Sequence, residues 1–277
     1  MGHDSLALGF DIGTSTVKGA LYDPGGACVF ERSIAYRHRM LRPGWIEQDP
    51  EDWIRCMQEV AAQVRQFAGT KTLVGIGICS QVNTHVFVDA AGAPLRNAIV
   101  WQDQRCAGVA AELWSRALQR SGTVSAPVDA SSLVCRAEWV RRLEPDVWAR
   151  TRWILSPKDY CILKLTGCAV TDPMTSIGLV DMQGEYVREA ISLVDGLQAR
   201  LPPILPLTQS AGCAHVDWLP HDVSLAVGTM DAWASSFGSG ARASGDAFQV
   251  AGTSEVIGML STRSEGMPGE RGVPQFA

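Results

Sequence analysis

Through the first ninety or so residues, apolar positions come in short runs separated by polar and small residues. Leu6–Asp11, Val17–Tyr22 and Cys28–Tyr36 read as three strands of an antiparallel meander. Asp23-Pro24-Gly25-Gly26 supplies the turn between the second and third. Arg37–Gln48 reads as a basic loop. The spacing then becomes helical, with Trp53, Met57, Val60, Ala61 and Val64 on one face. Asp49 marks the start as a cap, Pro50 takes the first position, and Glu51 and Asp52 sit near the positive end of the helix dipole. Gly69 ends the helix, and Leu73–Cys79 and His85–Asp89 return to strand spacing.

Further on, Ala98-Ile99-Val100-Trp101 is a short apolar segment. Helices are expected over Ala107–Ser121 and Leu133–Leu143, the second stopped before Pro145. A third opens at Ser156-Pro157-Lys158-Asp159 and closes at Gly167, a C-cap glycine. Pro202, Pro203 and Pro206 mark a loop or boundary. Leu225–Val227 reads as a strand, Asp231–Phe237 as the first turns of a helix, and Phe248–Ala251 with Glu255–Leu260 as paired strands. Glu265–Ala277 is rich in Gly and Pro and has no period. Strands, a crossover helix and more strands point to an α/β sheet with helices on its faces.

Composition narrows the class. The 277 residues give room for one large domain or two small ones. With 46% hydrophobic and 19% charged residues the chain is globular in type, and a net charge of −5 argues against a general nucleic-acid surface. No apolar run reaches membrane-spanning length. Met1–Ser5 lacks a basic region followed by an apolar core, so neither a signal peptide nor a myristoyl anchor is expected. None of the eight cysteines forms Cys-x-x-Cys, and no Cys/His pair has zinc-finger spacing. Reduced core thiols in a cytoplasmic protein are the expectation.

Six stretches carry candidate chemistry. Asp11-Ile12-Gly13-Thr14-Ser15-Thr16-Val17-Lys18 places a Gly/Thr/Ser loop between two strands. Its N–H groups and hydroxyls can face an anion, and Asp11 can hold a hydrated Mg²⁺ beside phosphate. A plain hairpin with a polar turn is the other reading. Gly44–Trp53 reads as a helix start with a tryptophan on each side. Gln81-Val82-Asn83-Thr84-His85 follows a strand, where open α/β sheets bind ligands. Trp101-Gln102-Asp103-Gln104-Arg105 can cover C–H bonds of a ligand with the Trp101 face, accept hydroxyls at Asp103 and donate from Arg105. Asp103 could equally cap a helix. Asp231, after Gly228-Thr229-Met230, closes an apolar strand and reads as a helix cap. Gly252-Thr253-Ser254 is a weak turn signal.

Taken together and in this order, these motifs resemble the FGGY family of carbohydrate kinases, within the actin-like superfamily. Asp11-Ile12-Gly13-Thr14-Ser15 is similar to the family's first phosphate motif, and Gly44–Trp53 to a structural segment of xylulokinase-type members. Trp101-x-Asp103-x-Arg105 resembles its sugar-site pattern, and Gly228-x-x-Asp231 followed by Gly238 its catalytic-base pattern. Ser156–Tyr160, Leu165–Gly167 and Thr171-Asp172 add a seventh stretch of likeness. Val82 and Asn83 depart from the xylulokinase and glycerol kinase versions of their loop, and Glu255 replaces a glycine after Ser254.

The resemblance implies an actin-like (ribonuclease H-like) mixed sheet with flanking helices. Residues 5–247 would be the sugar-binding domain of a two-domain kinase, and 248–277 the start of a nucleotide-binding domain. It implies ATP and Mg²⁺ as cofactors and a small sugar as substrate. A ketopentose such as xylulose leads; glycerol, gluconate, ribulose and fuculose are alternatives. Asp231 would be the base, with Asp11 toward the metal. Gly13, Thr14, Ser15, Thr16, Lys18, Gly252, Thr253 and Ser254 would hold phosphate. Gln81, Val82, Asn83, Trp101, Asp103, Arg105 and Asp231 would hold sugar. A homodimer is compatible with this reading; nucleic-acid and membrane partners are not expected. A non-catalytic sugar-binding module and an actin-like structural ATPase are the rival classes.

Overall fold

The fold described here is that of a computed structural model. It covers residues 5–121, 128–181, 183–220, 222–251 and 255–262. The elements in order are β1 (Ser5–Ile12), β2 (Thr16–Tyr22), β3 (Cys28–Ala35), β4 (Arg39–Arg42), β5 (Trp45–Gln48), α1 (Pro50–Ala68) and β6 (Thr72–Ser80). There follow β7 (Val86–Val88), β8 (Ala98–Ile99), α2 (Ala107–Ser121), α3 (Leu133–Leu143), α4 (Pro145–Arg150), β9 (Trp153–Leu155) and α5 (Pro157–Thr166). The last are α6 (Arg188–Ile191), β10 (Ser210–Cys213), β11 (Ser224–Ala226), β12 (Thr229–Met230), α7 (Asp231–Gly238), β13 (Ala247–Ala251) and β14 (Glu255–Met259).

The main sheet is mixed, with strand order β10-β11-β6-β1-β2-β3 and β12 also on the β6 edge. β1, β2 and β3 form the expected antiparallel meander. β6 returns parallel to β1 after the α1 crossover, and β11 and β12 both run parallel to β6. The C-terminal ends of β1, β6 and β12 therefore share one edge.

Burial along β1 and β2 alternates, and α1 covers that sheet with Trp53, Met57, Val60, Ala61 and Val64 buried. Asp49 accepts the Glu51 N–H at 3.1 Å as the helix cap. The close contact needs Gly19, where an added Cβ would run into Val60. α5 starts with a reciprocal Ser156/Asp159 capping box and ends at Gly167 in the left-handed region. A second core, with Phe87, Leu113, Trp139, Val140 and Leu197, lies among α2, α3 and the segments around them.

Three expectations need correction. Residues 37–48 are not a loop: β4 and β5 pair antiparallel across a turn at Gly44, whose φ is +76°. All four residues of β4 are exposed, so no alternation marks it. Pro145 ends α3 as expected but also opens α4 at its first position, where its missing N–H costs nothing. The short strands β9 and β10 went unread. Six of the cysteines are buried or half-buried, and all eight are free thiols. None of the described helices is long and apolar enough to cross a membrane.

Candidate active site

Asp11 lies near the end of β1, in register with Cys79 on β6. Cys79 is in register with Thr229 on β12, and Asp231 follows two residues later at the start of α7. Neighbouring parallel strands thus bring Asp11, Cys79 and Asp231 to the same edge, where ligands of open α/β sheets bind.

Their electrostatics reflect that proximity. Burial pushes the Asp11 carboxyl above its ordinary range, against the pull of the Lys18 ammonium. Burial also raises Asp231; the Ala232 N–H pulls it back, and the charge of Asp11 adds to the rise. The Cys79 thiol is raised well above its usual value by burial, with both carboxylates contributing, and so stays protonated. Oδ1 of Asp11 is buried without a hydrogen-bond partner. Such an oxygen is costly to bury unless a cation or donor completes it. Among the described residues, no three His, Cys, Asp or Glu side chains form a metal cage. A Mg²⁺ held by one carboxylate together with substrate phosphates fits these groups.

The Gly13–Ser15 loop is fixed from behind. Tyr36 donates its hydroxyl to the Gly13 carbonyl and its N–H to the Ser15 carbonyl, the latter at 3.1 Å. Gln48 Nε2 donates to the Thr14 carbonyl at 2.8 Å, and the Trp101 indole donates to Thr14 Oγ1 at 3.1 Å. The carbonyls of Gly13 and Thr14 turn inward. In a trans peptide the following N–H points the opposite way, so those of Thr14 and Ser15 turn away from these donors. Adjacent N–H groups turned the same way are what anion-binding concavities are built from. Thr16 begins β2, and Lys18 is exposed on it, opposite Asp11 in the register.

Asp231 is the first helical residue; Met230 holds the cap position. The carboxylate accepts the Ala232 N–H at 2.7 Å, which does not reach down the first turn as a cap bond does. The helix-cap alternative is therefore set aside.

The loop after β6 is built differently from expectation. Gln81 is buried; it donates to Gln48 Oε1 at 2.8 Å and accepts from Thr84 Oγ1 at 3.2 Å. Val82 and Asn83 are half-buried, and Asn83 sits at φ +57°. Arg136, fully buried on α3, donates to the carbonyls of Asn83 at 2.8 Å, Val100 at 2.7 Å and Ala130 at 3.3 Å, and to that of Ile99. Burial lowers its pKa to about 10. Arg136 thereby ties the Gln81–Thr84 loop to the segment carrying Trp101.

Asp103 and Arg105 turn into the protein. Asp103 is fully buried. Its Oδ1 accepts the N–H of Arg105 and Arg105 Nε, both at 2.9 Å, and its Oδ2 accepts the Ile46 N–H at 2.6 Å and Arg105 Nη2 at 2.8 Å. Four donors fill the carboxylate, which leaves no acceptor for a sugar hydroxyl. Arg105 Nη1 reaches Glu47 at 2.8 Å, and its guanidinium lies 4.1 Å from the Trp45 ring centroid. The pair fastens the Gly44–Gln48 segment to the segment after Trp101. Gly252, Thr253 and Ser254 lie outside the described residues.

Spacing alone did not mark Tyr36, Gln48 or Arg136; the hydrogen bonds that give them their roles span 23, 34 and 53 residues.

The sequence profile of the N-terminal domain of the FGGY family of carbohydrate kinases matches residues 6–238. The chain belongs to this family. A xylulose kinase of Lactococcus lactis is 28% identical over 276 residues, which is 95% of this chain and 52% of that protein. A glycerol kinase of Gloeobacter violaceus is 33% identical over 181 residues, 61% of this chain and 34% of that protein. The crystal structure of xylulose kinase from Rhodospirillum rubrum superposes with a TM-score of 0.86 and 25% identity, over 95% of this chain and 56% of that one. The fold is thus that of FGGY kinase domains, as the mixed sheet suggested. The chain spans about half the length of the Lactococcus relative.

Proposed function

We propose that the protein phosphorylates a small sugar at the expense of ATP, with a ketopentose such as xylulose as the leading substrate. Residues 5–247 act as the sugar-binding domain, and 248–277 open the nucleotide-binding domain. The observation that carries this reading is the shared edge of β1, β6 and β12. It puts the unpartnered oxygen of Asp11, the N–H groups of Thr14 and Ser15, and Asp231 together.

Asp231 accepts the proton of the attacking sugar hydroxyl, and its raised pKa makes it a better base than an exposed aspartate. The Trp101 face covers sugar C–H bonds, and Val82 and Asn83 contact the sugar. Asp11 is the residue that would hold Mg²⁺; Thr14, Ser15, Thr16 and Lys18 face the phosphates, with Gly252–Ser254 joining from the second domain. Bound Mg·ATP supplies the phosphoryl group and neutralises its charge. For this reaction type positioning and charge neutralisation provide most of the catalysis.

The test is ADP release by the full-length protein with xylulose, ribulose, fuculose, glycerol and gluconate. Turnover highest with a ketopentose supports the reading. Sugar binding without phosphorylation of any of them would identify a non-catalytic module instead. In the same assay Trp101→Ala is expected to raise the sugar KM about three- to tenfold, the loss of a stacked aromatic face.

A further inference from the structure

Lys158, Asp159 and Asp172 form a buried ionic cluster that the reaction chemistry leaves without a task. Lys158 is wholly buried, and its Nζ lies 2.5 Å from Asp159 Oδ1 and 3.0 Å from Asp172 Oδ1. Burial favours the neutral amine, but the two carboxylates outweigh it and hold the ammonium charged. Replacing such clusters by apolar residues is often neutral or stabilising, so their presence calls for another return, such as fixing one geometry.

The cluster grips the segment that leads into Asp231. Lys158 Nζ donates to the Val227 carbonyl at 3.2 Å. Its own backbone N–H donates to Ser80 Oγ at 3.1 Å, at the end of β6 beside Met230. Asp172 Oδ2 accepts the Thr229 hydroxyl at 2.9 Å and the N–H groups of Met174 and Thr175 at 3.1 and 3.2 Å. Between the two grips lies Gly228 at φ +67°, where an added Cβ would collide with the Ile78 carbonyl. The residues at 227, 228 and 229 are each pinned, and Asp231 is two residues on.

We infer that Lys158 and Asp172, through the Val227 carbonyl and the Thr229 hydroxyl, are positioning residues for Asp231. They touch no reacting atom; they set the height and angle at which the carboxylate leaves the sheet. The inference rests on Asp231 being the base.

The experiment is steady-state kinetics of the full-length protein with Thr229→Val, Thr229→Ser, Lys158→Met, Asp231→Asn and the Thr229→Val/Asp231→Asn double variant. Thr229→Val keeps shape and removes only the hydroxyl grip, so it decides the matter even if Lys158→Met fails to fold. Thr229→Val is expected to lower kcat about 10- to 100-fold, as small misplacements of a reacting group do, with the sugar KM nearly unmoved. Thr229→Ser is expected to restore kcat, and the double variant to be no slower than Asp231→Asn alone. If Asp231→Asn cripples the enzyme while Thr229→Val stays within twofold of wild type, the positioning role is wrong and the base stands. The role is also wrong if Ser and Val lose kcat equally. If Asp231→Asn itself remains active, the base assignment falls and the inference with it.

Discussion

Asp231→Asn is expected to lower kcat by about 10²–10⁴-fold, the range for loss of a positioned general base. On the proposed reading the sugar KM is expected to move much less, because a general base takes its proton in the transition state while ground-state binding uses other groups. Stability is expected to stay level or rise. The carboxyl is raised by burial, so the folded state binds its proton more readily than the unfolded chain does. An acid with a raised folded pKa costs stability at neutral pH, once it is ionised, and that cost disappears with Asn. The helix dipole opposes this at the first turn by about 0.3–1 kcal/mol. The same shift gives a pH profile: kcat/KM is expected to fall as pH drops through a value above the ordinary aspartate range, since a protonated carboxyl cannot accept a proton. Kinetics and a thermal melt on one preparation read all of this. A variant that keeps more than about a tenth of wild-type kcat would remove Asp231 from the role.

The elements that sequence showed well are those whose signals are local. α1 and α5 each carry a cap, a proline at the first position, a terminal glycine and a buried face, all within one stretch. β1 and β2 show because alternate residues face a core. β4 has no such contrast, and β9 and β10 are three and four residues long. That Asp11 and Asp231 stand at strand ends on one sheet edge was legible for a related reason. A lone carboxylate at the end of an apolar strand, beside small residues, is conspicuous, and parallel pairing brings such strand ends together.

What holds those groups in place was not legible. Tyr36, Gln48 and Arg136 act on backbone carbonyls of distant segments, and a carbonyl leaves no mark on a sequence. Cys79, an apolar residue by its surroundings, gave no sign of lying beside two carboxylates. The Trp101–Arg105 pattern misled in a different way. It gives residue types at fixed intervals but not their direction, and here Trp101 turns toward Thr14 while Asp103 and Arg105 turn into the protein toward Ile46 and Glu47.

That direction makes Asp103→Ala a sharp discriminator. Arg105 has a side-chain exposure of 1%, so removing its carboxylate leaves a buried guanidinium with Glu47 alone, and Glu47 is shared with Arg96. Removing one partner of a buried pair costs about 3–5 kcal/mol, because the remaining charge is left short of counter-charge and cannot reach water. The Ile46 N–H loses its acceptor as well. Unfolding by urea is expected to show a loss of this size. In a protein of this length that corresponds to a melting temperature lower by about 6–20 °C. Sugar affinity of the protein that remains folded is expected to change little. A direct hydroxyl acceptor predicts the reverse: little loss of stability, and binding weaker by about 1.5–3 kcal/mol, the worth of a hydrogen bond to a charged group. Asp103→Asn sharpens the comparison, since it keeps the shape and the bond from Ile46 but gives up the charge that Arg105 needs. Urea melts beside isothermal titration with a pentulose separate the two accounts, and a stable Asp103→Ala protein that binds sugar poorly would return Asp103 to the sugar site.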